Sequence, residues 1–192
     1  MDIVSLPPIP IDGPALTTVL GRRRSRRDYS GDPLDAEELS LLLWAAHGVT
    51  SADGRRTAPS AGFTDPSVVV AVTPDWMGRY RGEHHHVEIA EHNDLRPPLA
   101  EAAGGRDAVA AAGLIVGVAA RVAVTAERYG ERAERYVTLE AGHIAQNVLL
   151  AAESLDLWSV PVGAFDDAGV ARLLGLVEGE LPLYLIPVGR PA

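Results

Sequence analysis

The sequence predicts an α+β fold, and three observations predict it. SVVVAVT (67–73) and GLIVGVAA (113–120) are continuous apolar runs of strand length, the pattern of strands buried on both faces. The stretch from roughly 131 to 156, which contains ERYVTLEAGHIAQN, is Ala- and Leu-rich and free of Pro, as a long helix should be. Strands and helices mix without regular βαβ alternation, which argues against a doubly wound sheet. A chain of 192 residues is expected to form one domain over 1–192 with a real core.

The elements follow in order. Residues 1–13 contain three Pro and read as an extended N-terminal arm. PALTTVLG (14–21) is a short helix with Pro at its start. In LDAEELSLLLWAAHG, Asp35 is the N-cap and Glu38 its capping partner; Leu39, Leu42, Leu43 and Ala46 hold helical spacing, and Gly48 ends the helix. Residues 50–66 are loop by composition. Residues 78–90 can form a hairpin, and 95–112 are Ala-rich and helical. After the long helix, WSVPVGAF is extended, DDAGVARLLGL is a short helix capped by Asp166, and LPLYLIPVG is a last strand.

Charge narrows the function. All 17 basic residues are Arg, and five of them fall in RRRSRR (22–27). The rest of the chain sets 12 Arg against 26 acidic residues, which disfavours nucleic acid. One tight basic knot suits one compact anion, because guanidinium groups grip phosphate in a bidentate way. It is equally readable as a solvated basic turn or a kinase-type site. There is no Cys, so disulfides and thiolate chemistry are excluded. MDIVSLPPIP has no secretory pattern and no apolar run reaches membrane-span length, so no membrane role and a cytoplasmic location are expected.

Three further groups carry chemistry. In TAPSAG (57–62), Ser60 and Gly62 in a Pro-fixed loop can present backbone N–H groups to a ligand, or form an ordinary turn. On the long helix, Tyr136, Glu140, His143 and Asn147 fall in one narrow stripe. That stripe can face a polar ligand or partner, satisfy itself as a core network, or use Glu140-x-x-His143 for metal; a second such helix, which a di-iron bundle requires, is absent. Finally, Arg190 follows an apolar strand and matters if it meets the RRRSRR knot.

Taken in order, RRRSRRDYSG, ELSLLLWAAHGVT, RTAPSAG, RYVTLEAGHIAQNVLLAAESL, VPVGAFDD and PLYLIPVGRP resemble the nitroreductase superfamily, and within it the SagB-type dehydrogenases related to thiazole/oxazole-forming peptide dehydrogenases. The resemblance implies a central mixed or antiparallel sheet flanked by helices. It implies a homodimer with the long helix at the seam and one FMN per interface, touching both chains. It assigns Arg23, Arg24, Ser25, Arg27 and Arg190 to the FMN phosphate and ribityl end. Pro59, Ser60, Ala61 and Gly62 go beside the flavin, Gly163 and Ala164 near the ring, and Asn147 to the dimer seam. Relatives favour Gly where Asp156 and Trp158 stand. Azoline-oxidising members carry a Lys-Tyr pair where this chain has Arg128-Tyr129, which makes Tyr129 the candidate catalytic residue. The expected activity is FMN-dependent hydride transfer to or from a small-molecule or peptide substrate, with NAD(P)H as a possible donor. The alternative is a degenerate member that serves as a scaffold.

Overall fold

The computed structural model describes residues 2–9 and 12–192. Seven strands form one sheet: β1 (Ile3–Ser5), β2 (Ser67–Val72), β3 (Met77–Arg81), β4 (His86–Glu91), β5 (Leu114–Arg121), β6 (Trp158–Ser159) and β7 (Glu180–Gly189). Their order is β1-β4-β3-β2-β5-β7-β6, and every pairing between these strands is antiparallel. The helices are α1 (Leu16–Arg22), α2 (Ala36–His47), α3 (Arg96–Ala102), α4 (Asp107–Ala110), α5 (Val122–Tyr129), α6 (Ala133–Ser154) and α7 (Asp167–Leu173).

The central strands explain their own composition. Successive side chains point to opposite faces. Val69 and Ala71 of β2, Leu114, Val116 and Val118 of β5, and Ile186 and Val188 of β7 pack on one side. There they meet Leu42 and Leu43 of α2 and Ile144 and Val148 of α6. Val70, Val72, Ile115 and Leu185 fill the other side against Leu99 of α3, Val109 of α4, and Val170 of α7. A strand covered by helices on both faces has no position left for a polar residue, hence the unbroken apolar runs.

α2 begins as its sequence dictates. The Asp35 carboxylate accepts from the N–H groups of Glu37 and Glu38 at 3.0 and 2.9 Å, and Glu38 accepts from Asp35 N–H at 2.8 Å. This reciprocal cap is worth about 1 kcal/mol. At the other end Gly48 N–H donates to Trp44 O at 2.7 Å.

Four expectations need correction. The arm over 1–13 is not merely extended: Ile3–Ser5 form a sheet edge against β4, while residues 1, 10 and 11 lie outside the described residues. The Ala-rich stretch 95–112 is two helices, because Gly104 and Gly105 between them adopt φ of +79° and +74°. α5 was not foreseen. No Gly, Pro, Asn or Asp separates it from β5, so nothing local marks the change from strand to helix. Asp166 stands at the N-cap of α7, but its side chain makes no capping bond.

Candidate functional site

The five Arg of the knot divide into two sets. Arg22 and Arg26 turn to the end of α6, where Glu153 accepts from Arg22 Nε at 3.2 Å and from an Arg26 amine at 3.3 Å. Arg22 also pairs with Asp156, and Arg26 lies over the Trp158 ring. Arg24 donates to the backbone carbonyls of Gly21 and Arg23. Among the described residues, the side chains of Arg23 and Arg27 make no ion pair. The segment is stitched to the sheet edge: Ser25 bridges to Ser159, and Arg26 N–H donates to Ser159 O at 3.1 Å.

A cavity of about 550 Å³ opens beside this segment. Arg27, Arg106, the backbone run from Val160 to Ala164, and Asp28 and Asp107 line it. Gly163 and Ala164 are thus brought to the same cavity as Arg27; Arg23, Arg24 and Ser25 are on the same segment but outside the lining. Arg106 was missed, being a lone Arg within an Ala-rich stretch. Arg190 is not in the lining either. Its guanidinium is held by Glu38 at 2.8 Å, while its carbonyl accepts from Ser30 N–H.

A second candidate segment is the loop from Thr57 to Asp65. Pro59, Ser60 and Gly62, with Arg55, Arg56, Phe63 and Asp65, border a cavity of about 540 Å³. Pro59, Ser60 and Ala61 also border a smaller one of about 230 Å³ with Tyr136, Leu139, Glu140 and His143 of α6. Gly62 (φ +59°), Phe63 (φ +59°) and Asp65 (φ +49°) all lie in the left-handed region, two of them without glycine's freedom. Polar contacts hold this strained shape. Asn147 donates to Thr57 O at 3.1 Å, Arg128 to Gly62 O at 2.9 Å, and Asp65 N–H to Ser60 Oγ at 2.9 Å. Tyr129 stands edge-on to Tyr136, under the Arg128 guanidinium, and approaches Gly62 so closely that a Cβ there would lie 2.4 Å from its hydroxyl.

Asp65 is the ionic centre of the loop and was not foreseen as such. His47 Nε2 lies 2.7 Å from one of its oxygens and Arg56 Nε 2.7 Å from the other. Burial works to raise its pKa, but the His47 and Arg56 contacts prevail and hold it below the usual carboxylate range. Glu140 behaves oppositely. It is 4% exposed, and burial pushes it above its ordinary 4.5, against the hydrogen bonds of Ser67 and Ser60. The polar stripe of α6 is therefore not uniform: Glu140 is buried, Asn147 half-buried, and His143 and Gln146 exposed. Among the described residues no group of three His, Asp or Glu is arranged to hold a metal ion, and no helix is long and apolar enough to cross a membrane.

Residues 20–190 match the nitroreductase family. The chain belongs to the nitroreductase family. A relative from Methanocaldococcus jannaschii, the candidate nitroreductase MJ1384, is 41% identical over 181 residues, covering 91% of this chain and 90% of that one. A crystal structure of a candidate nitroreductase from Ralstonia eutropha JMP134 superposes with a TM-score of 0.90 at 32% identity, covering 99% of this chain and 90% of the other. An NADPH:FMN oxidoreductase from Vibrio harveyi, crystallised with NAD+, shares the fold at a TM-score of 0.68 and 23% identity, over 92% of this chain and 68% of that one. The α+β fold with its antiparallel sheet is thus a nitroreductase-like fold, and family members are oxidoreductases. Asp156 has a φ of +56°, which gives the physical reason why glycine suits that position.

Proposed function

We propose that this chain is an FMN-dependent oxidoreductase of SagB-like type, working as a homodimer on a small-molecule or peptide substrate, with NAD(P)H as electron donor. The observation that carries this reading is a separation. The cavity at Arg27, Gly163 and Ala164 and the cavities at Pro59–Gly62 share no lining residue. Each protomer offers two half-sites, and a second copy supplies the missing half to each.

The residues fit the group. Arg23 and Arg27 are cations without an ion-pair partner among the described residues, and they suit a phosphate. The backbone of 160–164 allows a flat ring to approach, since Gly163 is exposed and has no side chain. The Pro59–Gly62 loop is fixed from α5 and α6 and can aim backbone N–H groups at developing negative charge. Arg190 belongs to this reading as a second-line cation, to be drawn from Glu38 by a bound phosphate. Bound flavin would supply the redox chemistry; the chain supplies binding, orientation and electrostatics. The Vibrio harveyi neighbour, whose own description names NADPH and FMN, supports that choice of cofactor and donor.

The test is an absorption spectrum of the purified protein, with FMN added if needed, followed by NAD(P)H oxidation with a quinone or nitroaromatic acceptor. A flavin spectrum and steady turnover support the reading. A colourless protein that cannot be reconstituted supports the scaffold alternative and ends this one.

A second reading, azoline oxidation, is favoured by the approach of Tyr129 to Gly62. There Tyr129 takes the substrate proton, with Arg128 beside it. Tyr129→Phe should then abolish turnover of an azoline peptide while flavin stays bound. Undiminished oxidation in that variant excludes Tyr129 as the base.

A further inference from the structure

Glu140 is a buried carboxyl without a cation of its own. Its Oε1 accepts from Ser67 Oγ at 2.8 Å, and the Ser60 hydroxyl also acts on it from the loop. It lines the cavity of about 230 Å³ together with Pro59, Ser60, Ala61, Tyr136 and His143. The titratable groups around it are accounted for. His47 from α2 and Arg56 from the loop are both committed to Asp65, at 2.7 Å each. His143 and Tyr136 share α6 with Glu140, and His143 is exposed. Among the described residues no Arg or His bonds to Glu140.

An unpaired carboxylate out of water is costly, and such a group takes up a proton instead. The negative charge of Asp65 adds to that pressure, and the charge of His47 works against it. Two neighbouring carboxyls are thereby shifted in opposite directions, Asp65 below and Glu140 above the usual carboxylate range, which is how a fold separates a fixed charge from a transferable proton.

We propose that Glu140 is the proton carrier of this site, giving its proton to an acceptor bound in the cavity that it lines with Ser60 and Ala61. This rests on the flavin reading above. Reduction of a two-electron acceptor adds a hydride, given by reduced flavin, and one proton. The Glu140 O–H bond breaks, and a new bond to hydrogen forms on the acceptor. Glu140 is left as a carboxylate and recovers a proton from water.

Two measurements test this. Infrared titration of the flavin-free protein should show a protonated-carboxyl band that persists above the ordinary carboxylate range and is absent from Glu140→Gln. In the flavin-loaded enzyme with a benzoquinone acceptor, turnover should fall as pH rises through the Glu140 titration. Glu140→Gln should lack that limb and run roughly 10²-fold slower, the usual worth of a positioned acid, with its flavin spectrum unchanged. No such band in the wild type, or wild-type rate and pH profile in Glu140→Gln, overturns the proposal. The infrared arm needs no flavin, so a failed flavin reading and a failed Glu140 assignment give different results.

Discussion

Arg128 donates a hydrogen bond to the carbonyl of Gly62 at 2.9 Å, tying the end of α5 to the strained loop. Gly62 sits at φ +59° with the Tyr129 hydroxyl against its Cα hydrogens. Gly62→Ala should cost ~1–2 kcal/mol from the left-handed backbone alone, and it must also push Tyr129 aside. Thermal denaturation of Gly62→Ala, alone and combined with Tyr129→Phe, checks this. The double variant should recover the part due to the Tyr129 hydroxyl and retain the backbone part and the Arg128 contact, 3.0 Å from a Cβ there.

The division of the basic knot makes opposite predictions for adjacent residues. Arg23→Ala and Arg27→Ala should weaken FMN retention by about 1.5–3 kcal/mol, the worth of a charge-assisted hydrogen bond, and leave the flavin-free protein as stable as before. Arg26→Ala removes a partner of the buried Glu153 and should lower flavin-free stability by ~1–3 kcal/mol. Flavin titration and denaturant unfolding of the three variants separate the two sets.

Leu139 is 52% exposed on α6, beside His143, and Leu16 and Leu20 of α1 are 62% and 52% exposed. A large apolar side chain left open on α6, the helix proposed as the seam, is suited to a second copy. Leu139→Glu should give a monomer in light scattering and release flavin, with helix content retained in circular dichroism. A dimer that survives this change puts the seam elsewhere.

Glu180, at the start of β7, ties that strand to Arg79 of β3 and Arg121 of β5. Its oxygens accept from Arg79 at 2.9 and 2.7 Å, from Arg121 at 3.1 Å, and from Val177 N–H at 3.0 Å. Burial opposes ionisation, but these bonds prevail and draw the carboxyl from 4.5 down to about 2. The folded pKa is depressed, so the stabilisation is complete above pH 4.5 and fades as pH falls toward 2. Arg79→Ala should cost about 2–3 kcal/mol near neutrality, less than orphaning a buried ion because Arg121 remains. The difference from wild type should shrink in acid unfolding experiments. An equal deficit at every pH contradicts the assignment.

Some of this protein is written locally in its sequence. The runs 67–73 and 113–120, the Asp35–Glu38 cap and the length of α6 depend on near neighbours and on periodicity, so they are legible without a fold. The motifs RRRSRR and PSAG are legible too, as candidate ligand-binding segments. Tertiary structure alone decided what their residues touch. Arg22 and Arg26 are neutralised by Glu153, more than a hundred positions away in sequence, while Arg27 faces a cavity. The strand-to-helix change at Val122 carries no turn residue and follows from packing against α6. The sequence singles out Glu140 as part of a polar stripe and gives Asp65 no special role. Their pKa values move in opposite directions because one received the cations His47 and Arg56 at hydrogen-bond distance and the other is buried with a hydroxyl partner, and long-range packing set which did which.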